Sequence, residues 1–168
     1  MGALRLKMKP LELTTHNPEE TQELGKLIGK LAQPGDVYLL SGKLGAGKTC
    51  LTQGIAWGLG IEEYAASPTF VLMRELKGRL TLYHIDLYRL DHIEEIADLG
   101  LDDYFYGQGI CVVEWAEKAL SILPEENFRI QINYLSENER QLIITPNGKH
   151  YAKSVTRIEA AWRDRRCC

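Results

Sequence analysis

The chain has 168 residues, of which 45% are hydrophobic and 26% charged, and its net charge is −3. This composition is typical of one globular domain, long enough to bury about 70% of the surface that its unfolded chain exposes. The negative balance argues against broad, nonspecific nucleic-acid binding. No apolar run approaches the roughly 20 residues of a membrane span, and residues 1–9 lack the apolar centre of a signal peptide. We therefore expect one cytoplasmic domain over residues 1–168.

The first predicted elements are a strand over Leu11–Thr15 and a helix that ends near Leu31. The helix begins at Asn17, whose side chain can cap it, and Pro18 suits its first position. Apolar residues recur along this helix with helical spacing, so one of its faces is predicted to be buried. The apolar run Val37–Leu40 then predicts a buried strand.

Residues 42–49 read Gly-Lys-Leu-Gly-Ala-Gly-Lys-Thr, the G-x-x-x-x-G-K-[ST] pattern of a phosphate-binding P-loop. A helix predicted over Cys50–Leu59 follows, so the loop lies between a strand and a helix, as the motif requires. Glycines let such a loop point its N–H groups at a phosphate beside the positive end of the helix. Lys48 would reach the β- and γ-phosphates and Thr49 would bind Mg²⁺. An ordinary glycine-rich turn is the alternative, and the flanking elements disfavour it.

The remaining chain predicts two pairs of strands, a further buried strand and three helices. Residues 70–76 and 80–87 alternate in polarity around a turn, which indicates a β-hairpin. Asp91 and Glu94 have the spacing of a capping box, which predicts a short helix to about Leu99. The other predicted elements are strands at 110–113, 128–134 and 141–145 and helices at 116–123 and 151–166.

Two hairpins exclude a purely parallel, doubly wound sheet. The predicted fold class is therefore α/β: a single P-loop NTPase-like domain with a mixed, partly antiparallel sheet flanked by helices. Residues from about 150 to 168 would form a C-terminal helical extension of this domain.

A P-loop needs an acidic partner for Mg²⁺ at the end of another strand, and the sequence offers two candidates. Asp86 ends the second strand of the first hairpin, and Glu114 follows the apolar run at 110–113. A continuously apolar strand is expected beside the P-loop strand, which would place Glu114 at the metal. Asp86 could bind the metal through water or position the attacking water. Either acid could instead be a solvated residue at a strand end, so the two roles stay open.

Two shorter features allow more than one interpretation. The hydroxyls of Ser67-Pro68-Thr69 could sense the γ-phosphate as switch loops do, or the segment could be an ordinary turn. The terminal Cys167-Cys168 resembles the prenylation signal of Rab-type GTPases, but the N-K-x-D and D-x-x-G motifs of those proteins do not follow Thr49. An exposed tail with two free thiols is the simpler interpretation.

Four segments together resemble the bacterial TsaE (YjeE) family. They are the P-loop at 42–49, Ser67-Pro68-Thr69-Phe70, His84-Ile85-Asp86-Leu87-Tyr88-Arg89 and Val113-Glu114-Trp115-Ala116-Glu117-Lys118, in this order. The resemblance extends from about Leu13 to Thr145. Members of this family are small ATPases required for the threonylcarbamoyl modification of adenosine 37 in tRNA.

The resemblance implies a site for ATP or ADP with Mg²⁺. Thr49, Asp86 and Glu114 would be the metal-site residues. Lys48 would act in catalysis together with the two acids. The expected nucleotide-binding residues are Thr15, His16, Gly42, Leu44, Gly45, Ala46, Gly47, Lys48, Thr49, Cys50, Thr69 and Trp115. Among them, Thr15 and His16 would lie near the adenine and Thr69 would belong to a switch loop.

The resemblance also implies partners. In the family, TsaE binds a heterodimer of TsaD and TsaB, in which TsaD performs the carbamoyl transfer, and ATP hydrolysis is thought to reset that complex. We expect no membrane contact, and tRNA contact that is at most indirect or weak. The sequence shows no arginine finger, so a slow ATPase stimulated by its partners is expected.

Two other functions remain possible for a P-loop chain of this size. A small-molecule kinase would need an arginine-rich lid, and the one close cluster, Arg163-Arg165-Arg166, lies at the extreme end. A nucleotide-gated binding module would need no hydrolysis, because ATP would only order a partner surface.

Overall fold

The computed structural model describes residues 8–65 and 72–167, in which seven strands form one sheet with helices against it. The strands are β1 (Leu11–Thr15), β2 (Val37–Ser41), β3 (Met73–Lys77), β4 (Thr81–Asp86), β5 (Ile110–Glu114), β6 (Asn127–Tyr134) and β7 (Arg140–Asn147). The α-helices are α1 (Pro18–Leu31), α2 (Lys48–Gly58), α3 (Ile93–Ala97), α4 (Asp102–Phe105) and α5 (Lys149–Asp164). This confirms the expected fold class, and α5 is the predicted C-terminal helix. The predicted switch residues Ser67, Pro68 and Thr69 lie outside the described residues.

The strands follow the order β1-β7-β6-β2-β5-β4-β3 across the sheet. The four inner strands β6, β2, β5 and β4 run parallel. β3 pairs antiparallel with β4, and β7 pairs antiparallel with β6 and β1, so both predicted hairpins are present. Because parallel strands end at the same edge of a sheet, the ends of β2, β5 and β4 meet where the P-loop begins.

The core lies on both faces of the sheet, as the apolar runs predict. In β2, Tyr38 and Leu40 face a cluster formed with α1, α2 and α5, whereas Val37 and Leu39 face a smaller cluster with α3 and α4. All four side chains are almost fully buried. Within the part of the chain that the structure describes, no helix has the length and apolar character to cross a membrane.

Two local predictions need correction, and one short helix was not predicted. Helix α3 is capped by His92, with Glu95 as the third helical residue, so the predicted pair of Asp91 and Glu94 is shifted by one position. The helix predicted at 116–123 is only a 3₁₀ turn over Ala116–Lys118, because the buried Ala119 leaves the helical conformation at φ −141°. The four-residue helix α4 was not predicted, since it is too short to show a helical period.

Helices α1 and α2 approach each other so closely that only glycine fits at their crossing. The contact is made by Gly25 and Gly29 of α1 and by Gly54 and Gly58 of α2. A Cβ atom built at any of them would lie between 2.2 and 2.4 Å from a backbone carbonyl oxygen of the other helix. Backbone cannot move aside as a flexible side chain can, so this spacing fixes α2, and with it the P-loop, against α1.

We predict that Gly54→Ala destabilises the protein. Alanine favours an isolated helix by about 1 kcal/mol over glycine. At Gly54, however, the new methyl group would lie 2.2 Å from the carbonyl oxygen of Gln22, so overpacking should give a net loss of roughly 1–3 kcal/mol.

Urea unfolding measures this loss, with Lys26→Ala at an exposed position of α1 as the matched control. The control should be close to neutral. A Gly54→Ala variant as stable as the wild type would contradict the close packing.

Candidate functional site

The loop between β2 and α2 turns at two glycines in left-handed backbone conformations. Gly45 and Gly47 have φ values of 80° and 109°, in the left-handed region that strains residues with a Cβ. Between them, the side chain of Ala46 is buried, whereas Leu44 exposes 76% of its surface. The loop is thus anchored in the core at one residue while its tip reaches solvent.

Lys48, the first residue of α2, folds back across the start of this loop. Its Nζ donates to the carbonyl of Gly42 at 2.6 Å and to that of Lys43 at 3.0 Å. It also lies 3.9 Å from the centroid of the Trp115 ring. Burial lowers the pKa of Lys48, and the carboxylates of Glu114, Glu117 and Asp86 partly oppose this change. The ammonium group is therefore a poorly solvated cation beside the loop.

Glu114 lies against the start of α2, as its predicted place at the end of the neighbouring strand requires. Its Oε2 accepts a hydrogen bond from the Thr49 hydroxyl at 3.3 Å, and its Oε1 accepts one from Thr52, also at 3.3 Å. The residue is only 2% exposed. A threonine hydroxyl beside a carboxylate provides hard oxygen ligands, and Mg²⁺ takes few of these from protein while keeping several waters. The residues present at this point fit Mg²⁺.

Asp86 is the neighbour of Glu114 across the sheet, since the two residues are in register between β4 and β5. It is 6% exposed, and its Oδ1 accepts a hydrogen bond from the backbone N–H of Tyr88 at 2.9 Å. Both candidate acids therefore lie at the same edge of the sheet, and both influence Lys48.

His84 is a residue of this region to which the sequence analysis gave no role. It lies two residues before Asp86 in β4, so the alternation of a strand directs both side chains to the same face. His84 is fully buried, and its Nε2 lies 3.3 Å from Oε1 of Glu114. Among the residues that the structure describes, neither of its ring nitrogens has a hydrogen-bond partner. In the sequence, the alternate positions of His84 and Asp86 in one predicted strand could have indicated that the two side chains share a face.

Trp115 directly follows Glu114 and has a strained backbone. Its φ of 60° and ψ of 36° lie in the left-handed region, which no other non-glycine residue in the described ranges 8–65 and 72–167 adopts. This turn directs the indole ring to Lys48, and its centroid lies 4.9 Å from that of the Tyr88 ring. Such strain persists only where the surroundings hold it, which makes Trp115 part of the candidate site.

The two residues expected near the adenine lie in different environments. Thr15 is fully buried and its hydroxyl is hydrogen-bonded to that of Thr21 at 2.7 Å, so its side chain presents no surface to a ligand. His16 is exposed, and its Nδ1 lies 2.8 Å from Oε2 of Glu20. The thiol of Cys50 donates to the carbonyl of Pro18 at 3.4 Å, which brings the start of α1 beside the first turn of α2. Thr69 lies outside the described residues.

We predict that Lys48→Met slightly stabilises the protein at neutral pH. A lysine whose pKa is lowered on folding costs stability while it is charged, so removing the charge removes that cost. The gain should stay below about 1 kcal/mol, because two hydrogen bonds to carbonyls are lost with it.

The pH dependence follows from the direction of the pKa change. The cost is fully present below the lowered pKa and vanishes as pH rises past the ordinary value of 10.5. Thermal unfolding should therefore show Lys48→Met to be more stable than the wild type at pH 7. At about pH 11 this difference in stability should be lost. A variant less stable than the wild type at pH 7 would refute this interpretation of Lys48.

Comparisons with known proteins come from a family model, curated relatives and a solved structure. Residues 15–142 match the model of the family described as "Threonylcarbamoyl adenosine biosynthesis protein TsaE". The tRNA threonylcarbamoyladenosine biosynthesis protein TsaE of Bacillus subtilis is 48% identical over 145 residues, which are 86% of this chain and 90% of that protein. The protein of the same name from Treponema pallidum is 41% identical over 80% of this chain and 99% of its own length.

Among solved structures, the crystal structure of Bacillus subtilis YdiB superimposes with a TM-score of 0.81 at 41% sequence identity. The superposition covers 91% of this chain and 96% of YdiB. Sequence and structure therefore agree over most of both chains. The chain belongs to the TsaE family.

Proposed function

We propose that this protein is a Mg²⁺-dependent ATPase that serves the N6-threonylcarbamoylation of adenosine 37 in tRNA. It would act on a complex of TsaD and TsaB and would not itself transfer the carbamoyl group. The observation that carries this proposal is the contact between the hydroxyl of Thr49 and the carboxylate of Glu114 at the start of the P-loop helix. This pair joins the predicted phosphate loop to the predicted metal site.

Each residue of the proposed site has a role in in-line attack of water on the γ-phosphorus. The N–H groups of the loop and the Lys48 ammonium would stabilise negative charge on the phosphate oxygens. Thr49 and Glu114 would hold Mg²⁺, which neutralises charge on the β- and γ-phosphates when bound. Asp86 would position the attacking water, since its carboxylate lies beside Glu114 at the same strand edge.

Partner stimulation is part of the proposal. Arginine commonly supplies the last positive charge in such reactions. Here the guanidinium of Arg140, which lies beside the loop, is engaged with the carbonyls of Gly45 and Ala46. The missing charge or ordering would then come from the TsaD–TsaB pair, so the chain alone would hydrolyse ATP slowly.

The link to tRNA rests on the relatives, which are named for tRNA threonylcarbamoyladenosine biosynthesis. Phosphate contacts dominate nucleic-acid affinity and require clustered positive charge. A chain with a net charge of −3 is poorly suited to bind tRNA directly. This favours action through a partner complex.

A small-molecule kinase is the weaker alternative. Its arginine lid would have to come from the C-terminal cluster. There, Arg165 donates to Glu20 at 3.0 Å and Arg163 pairs with Glu159. These arginines line a cavity of about 430 Å³ with His16 and Trp162 and are held by acids of α1 and α5. That arrangement favours a structural role for them.

Phosphate release from Mg-ATP tests the proposal, measured for the chain alone and with a TsaD–TsaB pair. We expect slow release alone and stimulation by the pair, and we expect Lys48→Ala to lose both. Labelled γ-phosphate should appear as free phosphate. Its appearance in a metabolite would favour the kinase, and fast hydrolysis by the chain alone would contradict partner activation.

Measurements of phosphate release also distinguish the roles of Glu114 and Asp86. They test in addition the hypothesis that the protein is a nucleotide-gated binding module. Glu114→Gln should raise the Mg²⁺ concentration needed for half-maximal rate, because it removes a charged ligand. Asp86→Asn should lower the rate with little change in Mg²⁺ dependence, because it impairs only the positioning of water. If tRNA modification persists with a variant that binds ATP and the pair but does not hydrolyse, hydrolysis is dispensable.

A further inference from the structure

Arg140, the first residue of β7, joins the P-loop to the turn between β6 and β7. Its Nε donates to the carbonyl of Ala46 at 2.9 Å and its Nη2 to the carbonyl of Gly45 at 3.4 Å. Its Nη1 donates to carbonyls of the turn, that of Ser136 at 2.8 Å and that of Glu139 at 2.9 Å. The guanidinium also lies 4.6 Å from the centroid of the Tyr134 ring. One side chain thus joins two consecutive loop carbonyls to the turn between β6 and β7.

The direction of these carbonyls determines the direction of the loop N–H groups. In a planar trans peptide, the carbonyl of one residue and the N–H of the next point in opposite directions. When Arg140 holds the carbonyl of Gly45, the N–H of Ala46 points away from Arg140, and it donates to the carbonyl of Lys43 at 3.0 Å. Likewise, holding the carbonyl of Ala46 turns the N–H of Gly47 away. The N–H of Gly47 is therefore directed to the side of the loop opposite the guanidinium, whereas the N–H of Ala46 is engaged within the loop.

Arg140 adds to the other restraints on this segment, which are the burial of Ala46 and the hydrogen bonds from Lys48 to the carbonyls of Gly42 and Lys43. Gly45 and Gly47 are the residues with the largest conformational freedom, and a Cβ at Gly45 would meet no atom within 4 Å. Without Arg140, the peptide between Ala46 and Gly47 could rotate and point its N–H group elsewhere. The planar guanidinium of arginine can hold the loop carbonyls and the turn carbonyls at once in a fixed geometry, whereas the compact ammonium of lysine cannot span both groups.

We propose that Arg140 is a positioning residue for phosphate binding: it presets the N–H group of Gly47 before the ligand arrives. It does so through loop carbonyls and need not touch the nucleotide. Ordering the loop in advance removes part of the entropy cost of binding. The claim that Arg140 aids phosphate binding rests on the proposed function, whereas the claim that it orders the loop does not.

The test compares wild type with Arg140→Lys and Arg140→Met in the full-length chain without nucleotide. Amide hydrogen exchange of the peptide that covers 42–49 should be roughly tenfold faster in both variants, as the loss of hydrogen bonds from a charged donor implies. Arg129→Lys is the matched control, because Arg129 is exposed on β6. The control should exchange like the wild type. Melting temperatures would show whether each variant is folded, and Arg140→Lys covers the case in which Arg140→Met is not.

Calorimetric titration with Mg-ADP is the second readout. Arg140→Lys should weaken ADP binding by roughly tenfold while its melting temperature stays near that of the wild type. Unchanged exchange over 42–49 would overturn the inference whatever the affinity. Faster exchange with unchanged ADP affinity would also overturn it, because Arg140 would then order the loop without helping phosphate. A wild type that binds no ADP would instead refute the proposed function, and the exchange comparison would still decide the ordering.

Discussion

The pairing of β2 with β5 is the constraint on which the candidate site depends. The two strands are parallel, and Leu40 at the end of β2 lies opposite Glu114 at the end of β5. A slip of one residue would turn Glu114 to the other face of the sheet, away from α2. The continuous burial of both strands fixes the register, because each face packs against a separate cluster of side chains. On its other side, β5 pairs in parallel with β4, and the register of that pair places Asp86 beside Glu114.

At this edge of the sheet, the P-loop is held by a helix contact, a buried side chain, an aromatic ring and a guanidinium group. The glycine contact between α1 and α2 fixes the helix that begins at Lys48, and Ala46 anchors the loop in the core. Trp115 lies over the lysine in a strained conformation. Arg140 holds the outer carbonyls. The loop is thus built into the fold, which is what a site that binds phosphate through backbone N–H groups requires.

The sequence predicted the parts of the site that are local or that follow from strand burial. The P-loop is a contiguous motif, and the continuous apolar character of 110–113 was enough to place Glu114 beside it. The features that the sequence did not predict depend on contacts between residues that are distant in the chain, or on backbone geometry. Arg140 meets Ala46 across 94 positions, which no spacing reveals. The burial of Thr15 likewise depends on how β1 and α1 pack.

A crystal structure with Mg²⁺ and a non-hydrolysable ATP analogue would test the central claim most directly. The account predicts the β- and γ-phosphates within residues 42–49, with the metal between Thr49 and Glu114. It also predicts that Lys48 leaves the carbonyl of Gly42 to meet the phosphates. The account would be contradicted if the nucleotide occupied the cavity of about 660 Å³ at the opposite end of β2, beside Asp36 and His150. A metal bound without Thr49 or Glu114 would contradict it equally.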